Sequence, residues 1–145
     1  MRILVLNGPN LNLLGLREPD LYGKTDYPAL LALIEAEAEK LGVEVKFYQS
    51  NHEGDLVDAI QEARFDCAGI VLNPGAYTHT SIAILDALRA VDLPAAEVHI
   101  TDISKREPFR QVSYAGMACQ GHFIGHGIDG YLEALRFVVQ LAQTR

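Results

Sequence analysis

The sequence Cys-Ala-Gly-Ile-Val-Leu-Asn-Pro-Gly at positions 67–75 decides the fold. Its first six residues form an apolar run without alternation, which is typical of a strand buried on both faces of a sheet. Asn-Pro-Gly at 73–75 is a turn signal that ends the run. We therefore predict a central strand over Cys67–Leu72, and such a strand needs helices on both faces of its sheet.

Helical patterns and further strand-like runs alternate on either side of this strand. Four helices are predicted, at Asp26–Leu41, Glu53–Phe65, Ser81–Val91 and Gly130–Ala142. The first has Asp26 as its N-cap, Pro28 in its first turn and Gly42 just beyond its end, which are the usual helix start and stop signals. Four more strands are predicted, at Arg2–Asn7, Val43–Tyr48, Ala95–Ile100 and Gly121–Ile124.

The alternation of strands and helices predicts the fold class. Apolar strands separated by helices form a parallel sheet that is covered on both faces. Five strands fit a flavodoxin-like, doubly wound α/β fold with the strand order 2-1-3-4-5. No linker or internal repeat divides the chain, so we expect one catalytic domain over residues 1–145. Ligands of such sheets bind beyond the carboxyl ends of the strands, so the functional residues should directly follow the strands.

The composition is that of an ordinary globular protein. Hydrophobic residues make up 49% of the 145 residues and charged residues 21%, which excludes a disordered chain. The net charge of −7 argues against nucleic acid and anionic membranes as partners. No apolar run approaches the roughly 20 residues that span a bilayer. Cys67 and Cys119 lie in apolar surroundings, where free buried thiols are expected, and these features together predict a cytoplasmic protein.

The third predicted helix is apolar on more than one side. Ile82, Ile84, Leu85 and Leu88 are distributed around it, and so wide an apolar surface must be buried against more than the helix's own sheet. Asp86 lies within this surface. The pattern predicts a subunit interface and hence a homo-oligomer.

Several motif-like patterns do not indicate a cofactor or a metal. Gly-His-Gly-Ile-Asp-Gly at 125–130 matches a dinucleotide-binding pattern, but that pattern belongs in the first strand–helix turn, and we expect a tight turn here. Cys119, His122 and His126 lack the further ligands that would complete a zinc site. The turn over residues 7–10 lacks the hydroxyl residues of a flavin phosphate loop. We therefore expect neither cofactor nor metal, although a flavin- or nucleotide-binding module on the same fold remains the alternative.

Glu97 and His99 are the first candidate pair for acid–base chemistry. Residues two apart in a strand share a face, so both side chains should lie together near the carboxyl end of the fourth strand. A carboxylate beside an imidazole fixes the tautomer of the ring and favours its protonated form, as a general acid near neutral pH requires. The pair alone fits a purely structural hydrogen bond equally well.

A long loop after the first strand carries a second candidate pair. Residues 14–23, Leu-Gly-Leu-Arg-Glu-Pro-Asp-Leu-Tyr-Gly, have the length and the glycine and proline content of an active-site lid. The loop contains Arg17 and Tyr22. A tyrosine with a pKa near 10 is a poor base at pH 7, but a nearby guanidinium and partial desolvation lower that pKa. A solvated arginine and a packed tyrosine explain these two residues equally well.

Polar turns complete the predicted rim of the site. They lie at residues 7–10, 49–52 and 73–76, where asparagine side chains and free amides bind carboxylates and hydroxyls without adding charge. His79 follows the third turn and Arg110 follows the fourth strand. A tyrosine base, a histidine acid and several binders of hydroxyls and carboxylates favour proton abstraction next to a carbonyl, coupled to loss of water from a small polyhydroxy acid.

At this point the chain resembles the type II 3-dehydroquinate dehydratases. Five motifs occur in the family's order: residues 6–15, 17–23, 49–54, 73–81 and 97–99, and the segment Arg-Glu-Pro-Phe-Arg at 106–110 follows them. The resemblance implies a cofactor-free hydro-lyase that converts 3-dehydroquinate reversibly to 3-dehydroshikimate by anti elimination through an enolate. It implies a role in the shikimate pathway of aromatic amino-acid biosynthesis, with quinate degradation by the same reaction as the alternative.

The resemblance also assigns catalytic roles. It implies that Tyr22 takes the C2 proton and that Arg17 lowers the pKa of Tyr22. His99 is expected to protonate the departing C1 hydroxyl, oriented by Glu97. Asn10 is expected to hold a water that stabilises the enolate oxygen.

The substrate-binding set follows from the same resemblance. Asn73 and the amides of Ile100 and Thr101 are expected around the carboxylate, with His79 and Arg110 on the ring hydroxyls. Asp86 is expected to reach the site of a neighbouring subunit, because the family assembles as a dodecamer of trimers.

Overall fold

The structure is a computed structural model that describes residues 1–16 and 25–145. The strands are β1 (Arg2–Asn7), β2 (Glu44–Gln49), β3 (Gly69–Asn73), β4 (Ala95–His99) and β5 (Gly121–Ile124). The α-helices are α1 (Tyr27–Leu41), α2 (Glu53–Asp66), α3 (Ile82–Val91) and α4 (Asp129–Gln143). Short 3-10 helices lie in the connections, at Leu11–Leu13, Gly75–His79, Ile103–Lys105, Pro108–Arg110 and Ala115–Ala118.

The five strands form one parallel sheet in the order β2-β1-β3-β4-β5, which confirms the predicted topology. Asn7 at the end of β1 lies opposite both Gln49 and Asn73. The polar turns after these three strands therefore meet at one edge of the sheet. β2 is an edge strand whose residues alternate between exposed and half-buried, as its alternating sequence predicts.

Two hydrophobic layers cover the sheet, one on each face. Alternate residues of β1, β3 and β4 pack against α1 and α4 on one face and against α2 and α3 on the other. Ala96 and Val98 belong to the first face, so Glu97 and His99, which alternate with them, lie on the α2/α3 face. The fold thereby places the candidate acid–base pair on the side where the connection that follows β4 packs against this strand.

The helix ends behave as the sequence predicts. The Asp26 carboxylate accepts a hydrogen bond of 2.9 Å from the amide of Ala29, and Gly42 ends α1 with a φ of 70°. Ser81 caps α3 in the same way through the amide of Ile84, at 3.0 Å. No described helix is long and apolar enough to cross a membrane.

The apolar surface of α3, from which a subunit interface was predicted, is mostly buried inside the chain. Its apolar residues Ile84, Leu85 and Leu88 are all buried within the chain, where α3 packs against α2 and against Ala115–Ala118. Ile82 alone among its large apolar residues is strongly exposed, at 55%. The width of the apolar surface is therefore largely explained by contacts inside one chain, and does not by itself require a second subunit.

Candidate active site

A pocket lies at the carboxyl ends of β1, β3 and β4, where this fold class binds its ligands. Its lining includes seven of the predicted site residues: Asn10, Asn73, His79, His99, Ile100, Thr101 and Arg110. Glu97 lies directly behind His99. Asp86 is exposed on α3 and is not part of the lining. Arg17 and Tyr22 lie outside the described residues.

Glu97 and His99 form a buried hydrogen-bonded pair, as predicted. Nε2 of His99 lies 2.9 Å from Oε2 of Glu97, and the residues are only 5% and 2% exposed. Burial alone raises the pKa of Glu97, but hydrogen bonds from His99, Ser113 and His122 outweigh it and lower the pKa to about 2. Because an ionised carboxylate only accepts hydrogen bonds, Nε2 of His99 is the donor. Nδ1 has no partner among the described residues and is left for a ligand in the pocket.

Two residues that the sequence analysis did not single out as site residues complete the shell around Glu97. The Ser113 hydroxyl donates to Oε2 of Glu97 at 2.7 Å, and Nδ1 of His122 lies 2.6 Å from Oε1. Since the Ser113 proton is used on Glu97, the Thr78 hydroxyl, 2.8 Å from Ser113, is the donor of that pair. Ser113 lies in an irregular connection and carries no sequence signal. A sequence signal for His122 existed, because the predicted strand order places β5 beside β4. In the structure His122 lies directly opposite Glu97.

His79 lies beside His99 and is neutral. Nδ1 of His79 donates to the carbonyl of Val112 at 2.7 Å. The two imidazole rings stack with centroids 6.4 Å apart. Burial lowers the pKa of His79; the hydrogen bond to Val112 opposes this in part, and electrostatic interactions with His99, Arg110 and Arg106 lower the pKa further. Its Nε2 is consequently an acceptor, which fits the predicted contact with a ligand hydroxyl.

The amides of Ile100 and Thr101 are free to bind an anion. The carbonyls of His99 and Ile100 accept hydrogen bonds of 3.0 Å each from Gly125 and Gly127. In a trans peptide the carbonyl and the following N–H point in opposite directions, so the next two N–H groups are turned away from the glycines. Neither amide has an acceptor among the described residues. Gly125 and Gly127 have φ values of 79° and 61°, so the motif at 125–130 is the expected tight turn, and it also positions this pair of donors.

Asn73 belongs to a buried polar network that the sequence did not reveal. Its Nδ2 donates to the hydroxyl of Tyr131 at 2.9 Å, and that hydroxyl donates to Asn7 at 2.7 Å. Tyr131 is fully buried, and burial raises its pKa, so it stays a neutral donor. Asn73 also accepts from the amide of Gly75. One N–H of Asn73 remains for a ligand, because a side-chain amide has two.

The remaining polar groups surround the mouth of the pocket. Asn10 adopts a left-handed φ of 70°, its amide donates to Asn51, and its side chain is exposed at the lining. Arg106 and Arg110 also line the pocket, and Arg110 pairs with Glu107 at 3.1 Å. Two guanidinium groups and two free amides favour an anionic ligand in a chain whose net charge is −7.

Potential metal ligands do not converge in the described part of the chain. No group of three or more His, Cys, Asp or Glu side chains there could hold a metal ion. His122 contacts Glu97, whereas His126 pairs with Glu133. Cys119 donates to the carbonyl of Ala115, and burial raises its pKa. Both cysteines are free, as predicted, but they are half-buried rather than buried.

A substitution at Gly116 tests whether the position of the Glu97 carboxylate affects the catalytic rate. A Cβ at position 116 would lie 2.8 Å from Cδ of Glu97, so Gly116→Ala must displace the carboxylate that holds His99. We expect kcat to fall by about 10²-fold, because small misplacements of catalytic groups are that costly. Gly54→Ala is the matched control, since a Cβ at position 54 meets nothing within 4 Å. Steady-state kinetics of both variants measure the effect, and equal rates in the two would contradict it.

The fold and the pocket together define a class of protein: an α/β protein with a buried histidine–carboxylate pair at a pocket whose lining favours an anionic ligand. Residues 1–139 match the family model described as dehydroquinase class II, and the chain therefore belongs to the class II dehydroquinases. It is 51% identical to the 3-dehydroquinate dehydratase of Lachnoclostridium phytofermentans, over 97% of this chain and 98% of that protein. It is 52% identical to the catabolic 3-dehydroquinase of Aspergillus clavatus, over 94% and 91% of the two chains.

A solved structure supports the same assignment. The crystal structure of the type II dehydroquinase from Butyrivibrio crossotus superimposes with a TM-score of 0.94 at 48% identity, covering 96% of this chain and 97% of that one. The family resemblance and the predicted strand order are thus both confirmed.

Proposed function

We propose that this protein catalyses the reversible dehydration of 3-dehydroquinate to 3-dehydroshikimate. The observation that carries the proposal is the buried Glu97–His99 pair at the wall of a pocket that also presents two free backbone amides. The curated relatives with this function match essentially the whole chain. The reaction removes a proton from C2, next to the C3 carbonyl, and a hydroxyl from C1.

His99 acts as the general acid in this proposal. Its Nε2–H is held by Glu97, so the proton that it releases is the one on Nδ1. The Glu97 carboxylate, with its pKa near 2, is ionised throughout the range in which enzymes work. It stabilises the imidazolium before the proton is donated to the departing C1 hydroxyl, which leaves as water.

The substrate is held by groups that match its chemistry. The amides of Ile100 and Thr101 bind the carboxylate, and Asn73 offers its remaining N–H nearby. His79 accepts from a ring hydroxyl through its free Nε2, and Arg110 donates to another. Asn10 holds a water that stabilises the oxygen of the enolate. These assignments extend the geometry of the lining residues with the roles that the family resemblance implies.

Tyr22 is proposed as the base and Arg17 as the group that lowers its pKa. Support comes from the sequence motif at 17–23 and from the chemistry of the pair. The described lining offers an acid, His99, and a neutral acceptor, His79. A separate base on the opposite face of the substrate is what an anti elimination requires.

A turnover assay tests the proposal directly. The product 3-dehydroshikimate has a conjugated enone, so its ultraviolet absorbance rises as dehydration proceeds. We expect a rise with purified protein and 3-dehydroquinate, and no rise would overturn the proposal. A purified protein that is yellow or retains nucleotide would instead support the alternative of a flavin or nucleotide module.

We also propose that the chain assembles as a homododecamer in which Asp86 reaches a neighbouring subunit's site. Support comes from the family resemblance, from the exposed Ile82 and from the exposed position of Asp86 on the same helix. Ile82→Asp is expected to dissociate the assembly, because it places a charge in a buried interface. Sedimentation at micromolar concentration measures the effect, with Phe65→Asp, exposed at 76% on α2, as the control. A wild-type monomer would contradict the proposal.

For the cellular role, we propose the shikimate pathway in the cytoplasm, with no nucleic-acid or membrane partner. The net charge of −7 supports the absence of such partners. Quinate degradation by the same reaction is the alternative, and one relative is named a catabolic enzyme. Deletion of the gene distinguishes the two: aromatic amino-acid auxotrophy supports biosynthesis, and loss of growth on quinate alone supports degradation.

A further inference from the structure

We propose that His122 is a positioning residue for the general acid His99. His122 holds the carboxylate oxygen of Glu97 that His99 does not use. Proton exchange between His122 and solvent thereby influences how strongly the buried His99 holds its proton. The inference rests on the proposed function, in which His99 is the acid. It concerns the contact between His122 and Glu97, to which the proposed mechanism assigns no role.

The two imidazoles flank a single carboxylate. Glu97 and His122 are directly opposite each other in the β4–β5 register and so share a face of the sheet. Oε1 of Glu97 accepts a hydrogen bond from Nδ1 of His122 at 2.6 Å, and Oε2 accepts one from Nε2 of His99 at 2.9 Å. The side chains of His99 and Glu97 are 6% and 3% exposed, but that of His122 is 46% exposed. The buried pair is therefore connected to solvent through His122.

Because both imidazole rings donate to the same carboxylate, His99 and His122 compete for the stabilisation that its negative charge gives to a proton. An ionised carboxylate only accepts, so both rings and Ser113 must donate to it. A proton added to either ring is stabilised by the same negative charge, and it opposes a second proton on the other ring. Groups coupled in this way titrate as a pair rather than singly.

The surroundings contribute few other charges. On this face Ala115–Ala118 packs against β4, and α3 packs against Ala115–Ala118 in turn. The segment Ala115–Ala118 has no charged residue. The charged residues of α3, Asp86 and Arg89, are both exposed. Cys119 adds no charge, because burial and the negative charge of Glu97 raise the pKa of its thiol.

Among the described residues, the nearest titratable group on the pocket side is the neutral His79, whose ring stacks on that of His99. Arg106 and Arg110 lie beyond it at the lining. These arginines stay charged at every working pH, so they add a constant field. Within the described part of the cluster, His99 and His122 are therefore the two groups that can exchange a proton next to Glu97.

Charge sharing has a consequence for each turnover. When His99 gives its Nδ1 proton to the departing hydroxyl, Glu97 is left as a buried anion beside a neutral ring. A proton taken from water at the exposed Nε2 of His122 restores neutrality, and it returns to water when His99 is protonated again. No net proton is consumed, and the buried carboxylate is never left without a cation.

Two variants of His122 distinguish its hydrogen bond to Glu97 from its ability to exchange a proton with solvent. His122→Asn keeps an N–H donor near the position of Nδ1 but cannot titrate, whereas His122→Val removes both. We expect kcat of His122→Val to fall about tenfold with little change in KM, as for loss of a hydrogen bond to a charged group. We expect His122→Asn to keep kcat within about threefold of wild type at neutral pH. The alkaline limb of its kcat–pH profile should move to higher pH, because the shared proton then resides on His99 alone.

The control and the second readout make the outcome unambiguous. His126→Gln removes another exposed imidazole, one that pairs with Glu133 away from the site, and should leave the profile unchanged. Nitrogen-15 NMR of the imidazoles follows His99 without any turnover, and its titration should move to higher pH in His122→Asn. Wild-type kinetics in both His122 variants, with an unchanged His99 titration, would overturn the inference. Failure of the turnover assay would overturn the proposed function, and the NMR titration would still decide the coupling.

Discussion

His99→Gln is expected to lower kcat by about 10²–10⁴-fold, the usual contribution of a general acid. Glutamine places an amide N–H near the position of Nε2, so it can keep donating to Glu97. It has no proton that it can release at the position of Nδ1. The variant therefore separates the loss of proton donation from a collapse of the buried cluster, in which Glu97 would otherwise lose its partner at 2.9 Å.

The shape of the pH profile distinguishes this explanation from a structural one. The alkaline limb of the wild-type profile reports deprotonation of the acid, so it should be absent from the residual activity of His99→Gln. KM should change little, because the groups that we propose to bind the carboxylate are the backbone amides of Ile100 and Thr101, which the substitution leaves in place. A variant with a normal rate would exclude His99 as the acid, and one with a raised KM alone would make it a binding residue.

The fold could be predicted from the sequence because local signals agree with the global arrangement. The apolar run at 67–72 forms the central strand β3 at 69–73, and the caps at Asp26 and Gly42 lie where the sequence indicates. The 3-10 helices of the described residues were not predicted. They lie in connections, where no periodic pattern of apolar residues marks them.

The location of the site was predictable from the strand order, but contacts between particular side chains were predictable only where one element carries both partners. Glu97 and His99 are two residues apart in a strand, so the period of the strand brings them together. Tyr131 and Asn7 are 124 residues apart and meet only because α4 packs over β1 and β3. Nothing in an amphipathic helix distinguishes a tyrosine that anchors a polar network from one that merely fills the core.

The apolar surface of α3 shows the limit of pattern reasoning in the other direction. Periodicity correctly indicated that the helix needs more cover than its sheet provides. The cover for Ile84, Leu85 and Leu88 comes from within the chain. A sequence pattern gives the amount of surface to be buried, whereas the identity of the partner depends on tertiary packing.

Tyr22→Phe is expected to lower kcat by about 10³-fold or more, because it removes the base. The change deletes one oxygen and keeps the ring, so any packing role of the side chain is retained. The buried cluster of Glu97, His99 and Ser113 is built from other elements, and it should be unaffected. KM and the oligomeric state should therefore stay close to those of the wild type.

Arg17→Gln provides the mechanistic comparison. If the guanidinium lowers the pKa of Tyr22, its removal raises the pH at which the base becomes ionised. The acidic limb of the kcat–pH profile should then move to higher pH, whereas changes at His99 and His122 act on the alkaline limb. Opposite limbs responding to the two groups would establish separate acid and base on either side of the substrate, as an anti elimination requires. Near-normal turnover in Tyr22→Phe would exclude Tyr22 as the base, and the acid assigned to His99 would then have to be paired with a different residue.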